Sequence, residues 1–463
     1  MLLSFAACTG NVNNNTPLLW ITQLESTSAG ETQADQPSFH PQVTPDGRYI
    51  VFASDATNLL NISPTPTARQ IYRKDLITRK IILISEKFGG GYCTQTSDYP
   101  SISDDGRYVG FQSNAVENEL MEIFTDSNFE GAAPGIPHPD IFLRDVLLQK
   151  TYLISNMYQS TTTGAGIAGE GSENPMISGD GQYVVFESMA KGLTEYPVSN
   201  TTVRHLFCRD ISNLETPIEP DVVDSQETLG TDGDRDSQNA YISQTGNFIV
   251  FESKATNLMT DPADPPGPSL TSEHKDILLW NKGDKSNIRL MSPIRYLEPG
   301  SSLLRYDPTD ADCLNPSVSD DGWVVFESSS NQMDFRTVAS PPVSQIYLMK
   351  WDSDNRPEDP GSGKYDEIIS VGTGNIPGMY GDSTSPVISP NGRYVTFLSK
   401  ASNLSGLATG TYQQVFCRDR TDGVTTLISQ PTEGSIEANN HQQDPYVTDL
   451  GTVVFSSDAW NLV

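Results

Sequence analysis

Short apolar segments recur along the chain and are separated by polar turns rich in glycine. In the first clear copy, Tyr49, Val51 and Ala53 alternate with Ile50 and Phe52, so an extended segment is apolar on both faces. Strands of this kind are expected where sheets are covered on both sides. The hydrophobic pattern therefore predicts an all-β protein built from stacked antiparallel sheets.

One phrase occurs seven times: a turn glycine, a phenylalanine four or five residues later, and a serine two residues after the phenylalanine. The glycines are Gly47, Gly106, Gly181, Gly246, Gly322, Gly392 and Gly451. The serines are Ser54, Ser113, Ser188, Ser253, Ser328, Ser399 and Ser457. Asp or Asn precedes the glycine in five copies, which predicts a tight hairpin between the first two strands of each repeat.

The spacing of the repeats predicts a closed ring. Successive glycines are 59, 75, 65, 76, 70 and 59 residues apart, and the interval taken around the chain ends is again 59. The last repeat has room for only two strands, in 445–463, whereas 2–6 and 18–22 have the character of the missing pair. Joining the two ends in one sheet would remove the free edges of the ring.

The sequence thus predicts a single domain, 1–463, folded as a seven-bladed β-propeller of four-stranded antiparallel blades. The last blade is closed by strands from both termini. The predicted blades span roughly 41–86, 100–156, 175–225, 240–292, 316–371, 386–429, and 445–463 together with 1–26.

The phrase Pro-Ser-Ile-Ser-x-Asp-Gly-Arg-Tyr-Val-x-Phe-x-Ser, followed by Ala-Thr-Asn-Leu at 56–59 and 255–258, resembles the TolB-like (WD40-like) β-propeller repeat. The resemblance covers essentially the whole chain. It implies the propeller architecture but no particular activity, since such repeats occur in binding modules and in peptidase propeller domains. TolB itself has six blades and an α/β domain, so its role in an envelope complex is not carried over.

The charge of the chain excludes some partners. There are 59 acidic and 29 basic side chains, a net charge of −30, which opposes binding to nucleic acids and to anionic membranes. No apolar run approaches the roughly 18 residues of a membrane helix, so membrane insertion is not expected.

Catalytic and cofactor motifs are not found in the sequence. There is no Gly-x-Ser-x-Gly elbow, and the five histidines are separated from one another and from the cysteines. No cofactor is predicted apart from calcium. The candidate ligands are Asp232, Asp234 and Asp236, since alternating aspartates offer oxygen atoms to this ion; a plain acidic turn is the alternative.

The connections between strands two and three vary most in length. Proline-rich insertions at 122–139 and 260–269 suit contacts with a protein partner or with copies of the same chain. We therefore expect a non-catalytic interaction or structural module, extracellular or on the cell surface, with the periplasm as an alternative location and self-assembly as one use. The alternatives are a hydrolase or lyase acting on polysaccharide or peptide, or a ligand-binding sensor.

Overall fold

The computed structural model describes most of the chain. The described residues are 2–8, 20–28, 30–115, 117–120, 138–156, 171–190, 193–194, 202–214, 220–226, 231–258, 274–292, 294–297, 304–307, 311–330, 343–351, 367–372, 376–379, 381–405, 412–431 and 437–462. The protein is an all-β propeller of four-stranded antiparallel sheets.

The first three blades follow one another along the chain, and in each the four strands pair in sequence order. Blade one contains Ser38–Val43, Tyr49–Ser54, Gln70–Asp75 and Ile81–Leu83. Blade two contains Ser97–Ile102, Tyr108–Ser113, Asp140–Asp145 and Lys150–Leu153. Blade three contains Ser172–Ile177, Tyr183–Ser188, His205–Asp210 and Asp221–Val222.

The next three blades have the same strand order. Blade four contains Ser237–Ile242, Phe248–Ser253, Asp276–Asn281 and Asp284–Leu290. Blade five contains Cys313–Val318, Trp323–Ser328, Gln345–Lys350 and Glu367–Ile368. Blade six contains Ser383–Ile388, Tyr394–Ser399, Gln414–Asp419 and Val424–Leu427.

Three small elements lie between the main strands. They are a one-turn helix, Glu117–Leu120, the pair Ser225–Gln226 with Thr231–Asp232, and the pair Ile294–Leu297 with Leu304–Asp307.

The predicted number of seven blades is corrected by the structure. Six blades are built from four consecutive strands, and the last repeat does not form a seventh of this kind because it contains only Gln442–Val447 and Val453–Ser457. These two strands form a sheet with Leu2–Cys8 and Trp20–Leu24, in the order Trp20–Leu24, Leu2–Cys8, Val453–Ser457, Gln442–Val447. We call it the joining sheet. It lies between blade six and blade one.

Strand one of each blade contacts strand one of the next, so the first strands surround a central axis. The apolar cores lie between neighbouring sheets. Val51 and Ile71 of blade one pack with Val109 and Phe111 of blade two, for example, and all four side chains are fully buried. Both faces of each blade are therefore apolar, as the alternation in strand two predicts.

The recurring serine ends strand two and starts the next connection. Ser54 Oγ accepts the Ala56 N–H at 3.1 Å and lies 2.9 Å from Ser38 Oγ on strand one. The same arrangement recurs at Ser113, Ser188, Ser253 and Ser399. The serine thus satisfies a buried N–H where the sheet hydrogen bonds stop.

The propeller has two unlike faces. The turns from strand one to two and from three to four lie on one side, which we call the turn face. The connections from strand two to three and from strand four to the next blade lie on the other side, which we call the long-loop face.

Candidate functional site at the long-loop face

A ring of residues with left-handed backbone lies around the axis on the long-loop side. They occupy the same position in strand one of every sheet, with φ from 49° to 52°: His40, Tyr99, Asn174, Asn239, Asn315, Ser385 and Asp444. The strand register shifts at each of them, which identifies a β-bulge. Non-glycine residues adopt this backbone at a cost of about 1 kcal/mol or more, and asparagine adopts it most easily.

The N–H groups of four of these bulge residues donate to side chains at the end of strand two of the preceding blade, whereas those of His40 and Tyr99 donate to Asp444 and Asp98. Asn174 N–H donates to Gln112 of the preceding blade at 2.9 Å, and Asn239 N–H donates to Glu187 at 2.7 Å. The N–H groups of Asn315 and Ser385 donate in the same way to Glu252 and Glu327. Each of the four strand-two acceptors therefore links its own blade to the next one.

Glu187 and Glu252 are each paired with a cation. Glu187 is 1% exposed, and its carboxylate accepts hydrogen bonds from Arg204 at 2.8 Å and from the Asn174 side chain at 3.0 Å. Burial raises the pKa of Glu187, whereas these hydrogen bonds and the Arg204 charge act against the rise. Glu252 is fully buried and accepts a hydrogen bond from Lys275 at 2.8 Å.

Glu327 occupies the same place in blade five, but no cation of the described residues forms an ion pair with it. It is 7% exposed, accepts the Ser385 N–H and has the Asn315 side chain as a second hydrogen-bond partner. Burial raises its pKa, and the charges of Glu252 and Asp382 raise it further. A buried carboxyl group surrounded by other acids is less easily ionised.

An outer row of acids follows the same three blades. The Asp236, Asp312 and Asp382 carboxylates accept the N–H groups of Arg204, Lys275 and Ser344 at 2.8 to 2.9 Å. All three aspartates are exposed. We group these three aspartates with the three buried glutamates and with Glu173, a second partner of Arg204. We call the group the acidic arc: Glu173, Glu187, Asp236, Glu252, Asp312, Glu327 and Asp382. Among the described residues, only Arg204, Lys275 and His274 form ion pairs with it.

In blades one and two, four residues near the long-loop face form what we call the His40 cluster: His40, Arg69, Asp98 and Tyr99. His40 Nδ1 lies 2.9 Å from Asp98 Oδ1, and Arg69 donates to Asp98 Oδ2 at 2.5 Å. The Tyr99 and His40 rings are stacked with centroids 4.2 Å apart. Burial alone would lower the pKa of His40, but the hydrogen bond to Asp98 and the charges of Asp444 and Asp98 raise it. The same contacts lower the pKa of Asp98 against the effect of its burial.

A second group of polar residues lies at the turn-face end of the central axis. Burial and the charges of Asp320, Asp180 and Asp449 raise the pKa of Asp104 to about 6. Asp104 Oδ1 and Gln244 Oε1 are buried and accept no hydrogen bond from the described residues. Gln244 Nε2 donates to the Tyr446 hydroxyl at 3.3 Å, so polar contacts cross between blade four and the joining sheet.

The predicted calcium ligands form hydrogen bonds within and beside the loop that enters blade four. The Asp234 carboxylate accepts hydrogen bonds from the Thr256 N–H and hydroxyl, both at 2.6 Å, and Asp236 belongs to the acidic arc. The Asp232 main-chain oxygen accepts a hydrogen bond from Asn257 at 2.7 Å. In the described part of the chain, no three His, Cys, Asp or Glu side chains are grouped as a metal would require. Calcium binding at this loop stays a prediction.

Three further features of the sequence can be compared with the described residues: the cysteines, the proline-rich insertions and the apolar segments. Cys93, Cys208, Cys313 and Cys417 are buried, and no disulfide bond joins any two of the described cysteines. The insertion at 260–269 lies outside the described residues, as does that at 122–139 except for its last two positions. No helix in the described ranges is long and apolar enough to cross a membrane.

Sequence reasoning missed the residues at the mouth because they are distant along the chain. His40 and Asp98 lie in strand one of blades one and two, and Arg69 directly precedes strand three of blade one. One signal was present: the bulge residue stands before a proline in six of the seven sheets, as in His40-Pro41 and Tyr99-Pro100. The residue before a proline has a restricted backbone, so a repeated position of this kind marks unusual geometry.

Comparison with known proteins gives similarity in structure only. No protein-family model matches the chain, and no curated protein matches it either. Among solved structures, TolB from Acinetobacter baumannii is 14% identical with a TM-score of 0.35, over 75% of this chain and 60% of TolB. The chain thus spans less than two thirds of that protein.

Two enzymes give similar values. An oligogalacturonate lyase from Vibrio parahaemolyticus is 12% identical with a TM-score of 0.47, over 100% of this chain and 99% of the lyase. The dipeptidyl peptidase 4 of Porphyromonas gingivalis is 10% identical with a TM-score of 0.41, over 89% of this chain and 45% of the peptidase. Similarity at this level concerns the fold alone and carries no site or activity to this protein.

Proposed function

We propose that this propeller is a non-catalytic binding module that recognises a positively charged protein or peptide at its long-loop face, outside the cytoplasm. The observation that supports the proposal is the composition of the acidic arc. Seven carboxyl groups lie in the strands of blades three to six or directly before them, and among the described residues only one arginine, Arg204, and one lysine, Lys275, pair with them. Such an excess of one charge attracts and orients a partner of the opposite charge.

The hydrogen bonding of the arc favours binding over catalysis. The buried glutamates accept main-chain N–H groups of the next blade, so their oxygen atoms hold the ring together. A general acid or base needs an oxygen atom that reaches the substrate. The exposed Asp236, Asp312 and Asp382 are available to a partner but are separated by one blade each.

The test is binding of a lysine-rich decapeptide to the full chain at two salt concentrations. The triple variant Asp236→Asn, Asp312→Asn, Asp382→Asn keeps acceptors for the three N–H groups and removes three charges. We expect its affinity to fall at least tenfold at low salt and the difference to shrink at high salt. The matched control is Asp46→Asn, Asp105→Asn, Asp321→Asn, which removes three exposed charges from the turn face. Equal loss in both variants, or equal binding of the fully acetylated peptide, would refute the proposal.

One observation favours a second function, a hydrolase or lyase acting on polysaccharide or peptide. His40 is held by the Asp98 carboxylate, and its side chain is 27% exposed. A histidine oriented by a carboxylate is a common general acid or base. Turnover on a panel of glycans and peptides, abolished by His40→Ala and strongly reduced by Asp98→Asn, would establish this function in place of the first.

A further inference from the structure

The repeats allow the same position to be compared from blade to blade. The residue directly before strand three is Arg204 in blade three, Lys275 in blade four and Ser344 in blade five. Strands two and three pair in the same register in all three blades, since Ser188, Ser253 and Ser328 are opposite His205, Asp276 and Gln345. A basic side chain at this position therefore reaches the glutamate of its own blade.

Cation and glutamate occur together in blades three and four, whereas blade one has the cation, Arg69, with Ala53 in the glutamate position, and blade five has the glutamate without the cation. Glu187 pairs with Arg204 and Glu252 pairs with Lys275, both at 2.8 Å. Blades two and six have Gln112 and Leu398 in place of the glutamate, and Pro139 and Gln413 in place of the cation. Blade five alone combines the glutamate, Glu327, with a side chain too short to reach it, Ser344.

In blades three and four, the position of the cation is open to solvent. The Arg204 and Lys275 side chains are 31% and 24% exposed although the carboxylates they bind are not. A cationic group can therefore approach this carboxyl position from the long-loop face. A buried carboxylate without a counter-charge is costly, so binding a cation there releases free energy that a surface pair would not.

We propose that Glu327 is the binding site for a lysine or arginine side chain of the partner, which takes the position that Arg204 and Lys275 occupy in the neighbouring blades. The inference rests on the proposed function and specifies one contact within it. The ligand cation donates to the Glu327 carboxylate, whose other partners, the Ser385 N–H and the Asn315 side chain, keep it in place. Asp382, which holds the Ser344 N–H at 2.9 Å, adds a second negative charge beside the site.

The experiment uses the full chain with two probes, the lysine-rich decapeptide and Nα-acetyl-lysine methyl ester, and with Nα-acetyl-norleucine methyl ester as the uncharged control. Ser344→Lys supplies the cation within the chain, and Glu327→Gln removes the charge but keeps the acceptor. We expect each variant to weaken binding of the lysine ester at least tenfold. The matched control is Gln413→Lys in blade six, where Leu398 replaces the glutamate, and it should bind as the wild type does.

A measurement without ligand checks the geometry independently. Ser344→Lys should raise the melting temperature at pH 8, and the gain should disappear in the Glu327→Gln background. If the decapeptide binds but neither variant weakens it, the Glu327 site is refuted and the proposed function stands. If neither probe binds the wild type, both are refuted.

Discussion

At the scale of single residues, Asp104 is a partly buried carboxyl group surrounded by other acids. It lies at the turn-face end of the axis, and the charges that act on it, those of Asp320, Asp180, Asp449 and Asp105, are all acidic. Burial and these charges raise its pKa from 3.8 to about 6. Between these two pH values the folded protein binds more protons than the unfolded chain, so its stability falls as the pH rises through this interval.

We therefore expect Asp104→Asn to be more stable than the wild type at pH 8, because the asparagine carries no charge. The gain should shrink as the pH falls below 6 and be absent near pH 4, where Asp104 is protonated in the folded protein. Urea unfolding at pH 8 and pH 4 measures both values.

The neighbouring aspartate supplies the control for this prediction. Asp105→Asn makes the same charge change, but Asp105 already accepts hydrogen bonds from the Ser103 hydroxyl at 2.7 Å and from the Arg107 N–H at 2.9 Å. No gain in stability is expected from it. An equal gain in both variants would mean that only the net charge of the molecule matters, and the account given for Asp104 would be wrong.

At the scale of elements, the hairpin turns of blades two to six pack against an aromatic side chain of the blade before them. Gly106 has φ of +72°, and a Cβ atom built on it would lie 2.4 Å from the Tyr49 ring of blade one. Gly47 has the same φ, yet no atom of the described residues lies within 4 Å of its Cβ position. The difference arises because the joining sheet has Thr452 where blade one has Tyr49. The glycine is required by backbone geometry at both positions but by packing only at Gly106.

The two glycines provide a matched pair of variants. Gly47→Ala should cost about 1 kcal/mol of unfolding free energy, the price of a left-handed backbone for alanine. Gly106→Ala should cost about 1–3 kcal/mol more, because the added methyl group displaces Tyr49. Denaturant unfolding of both variants gives the difference. In a Tyr49→Ala background, Gly106→Ala should lose most of this extra cost, because the ring that the methyl group would displace is absent. Equal costs for Gly47→Ala and Gly106→Ala in the wild-type background would contradict the packing argument.

The elements also show how far the sequence predicts this structure. The Asp-Gly and Asn-Gly turns and the paired apolar strands are local signals, and the strands appear where these signals predict them. The sequence does not show strand four of blade three clearly, because Asp224 stands where other blades have a serine and accepts the Leu206 N–H at 3.0 Å in its place. The site could not be predicted, since His40 and Asp98 meet only after two bulged strands from different blades pack together.

At the scale of the whole molecule, the joining sheet closes the ring between blade six and blade one. It contributes Tyr446 and Val454 to the core beside blade one, and Val453 and Phe455 to the core beside blade six. The predicted count of seven blades was wrong because the last repeat has two strands of its own, yet both chain ends take part in the sheet that adjoins the first and last blades. The stability of all six blades should therefore depend on contacts of the N-terminal segment.

A buried carboxylate, Glu25, joins that segment to blade one through ion pairs with Lys74 and with Arg79, whose Nη1 lies 2.8 Å from Glu25 Oε2. The Lys74 side chain is fully buried, and its Nζ lies 3.1 Å from Glu25 Oε2 and 2.6 Å from the Thr27 hydroxyl. Glu25 follows directly after Trp20–Leu24 of the joining sheet. Removing one member of a buried pair leaves the other without its counter-charge, which costs about 3–5 kcal/mol. We expect Glu25→Ala to lower the unfolding free energy by that amount, as measured by denaturant unfolding.

Two control variants distinguish an effect on ring closure from a general effect of removing a charge. Glu31 pairs with Arg79 at 3.1 Å, but its side chain is 49% exposed, so Glu31→Ala should cost under about 1 kcal/mol. Replacing both buried partners, as in Glu25→Leu with Lys74→Met, should recover much of the loss, because no buried charge remains. If closure governs the whole ring, Glu25→Ala must also increase amide hydrogen exchange in blade six, on the far side of the joining sheet. Faster exchange confined to blade one would show that the pair stabilises one blade and that the ring does not unfold as a unit.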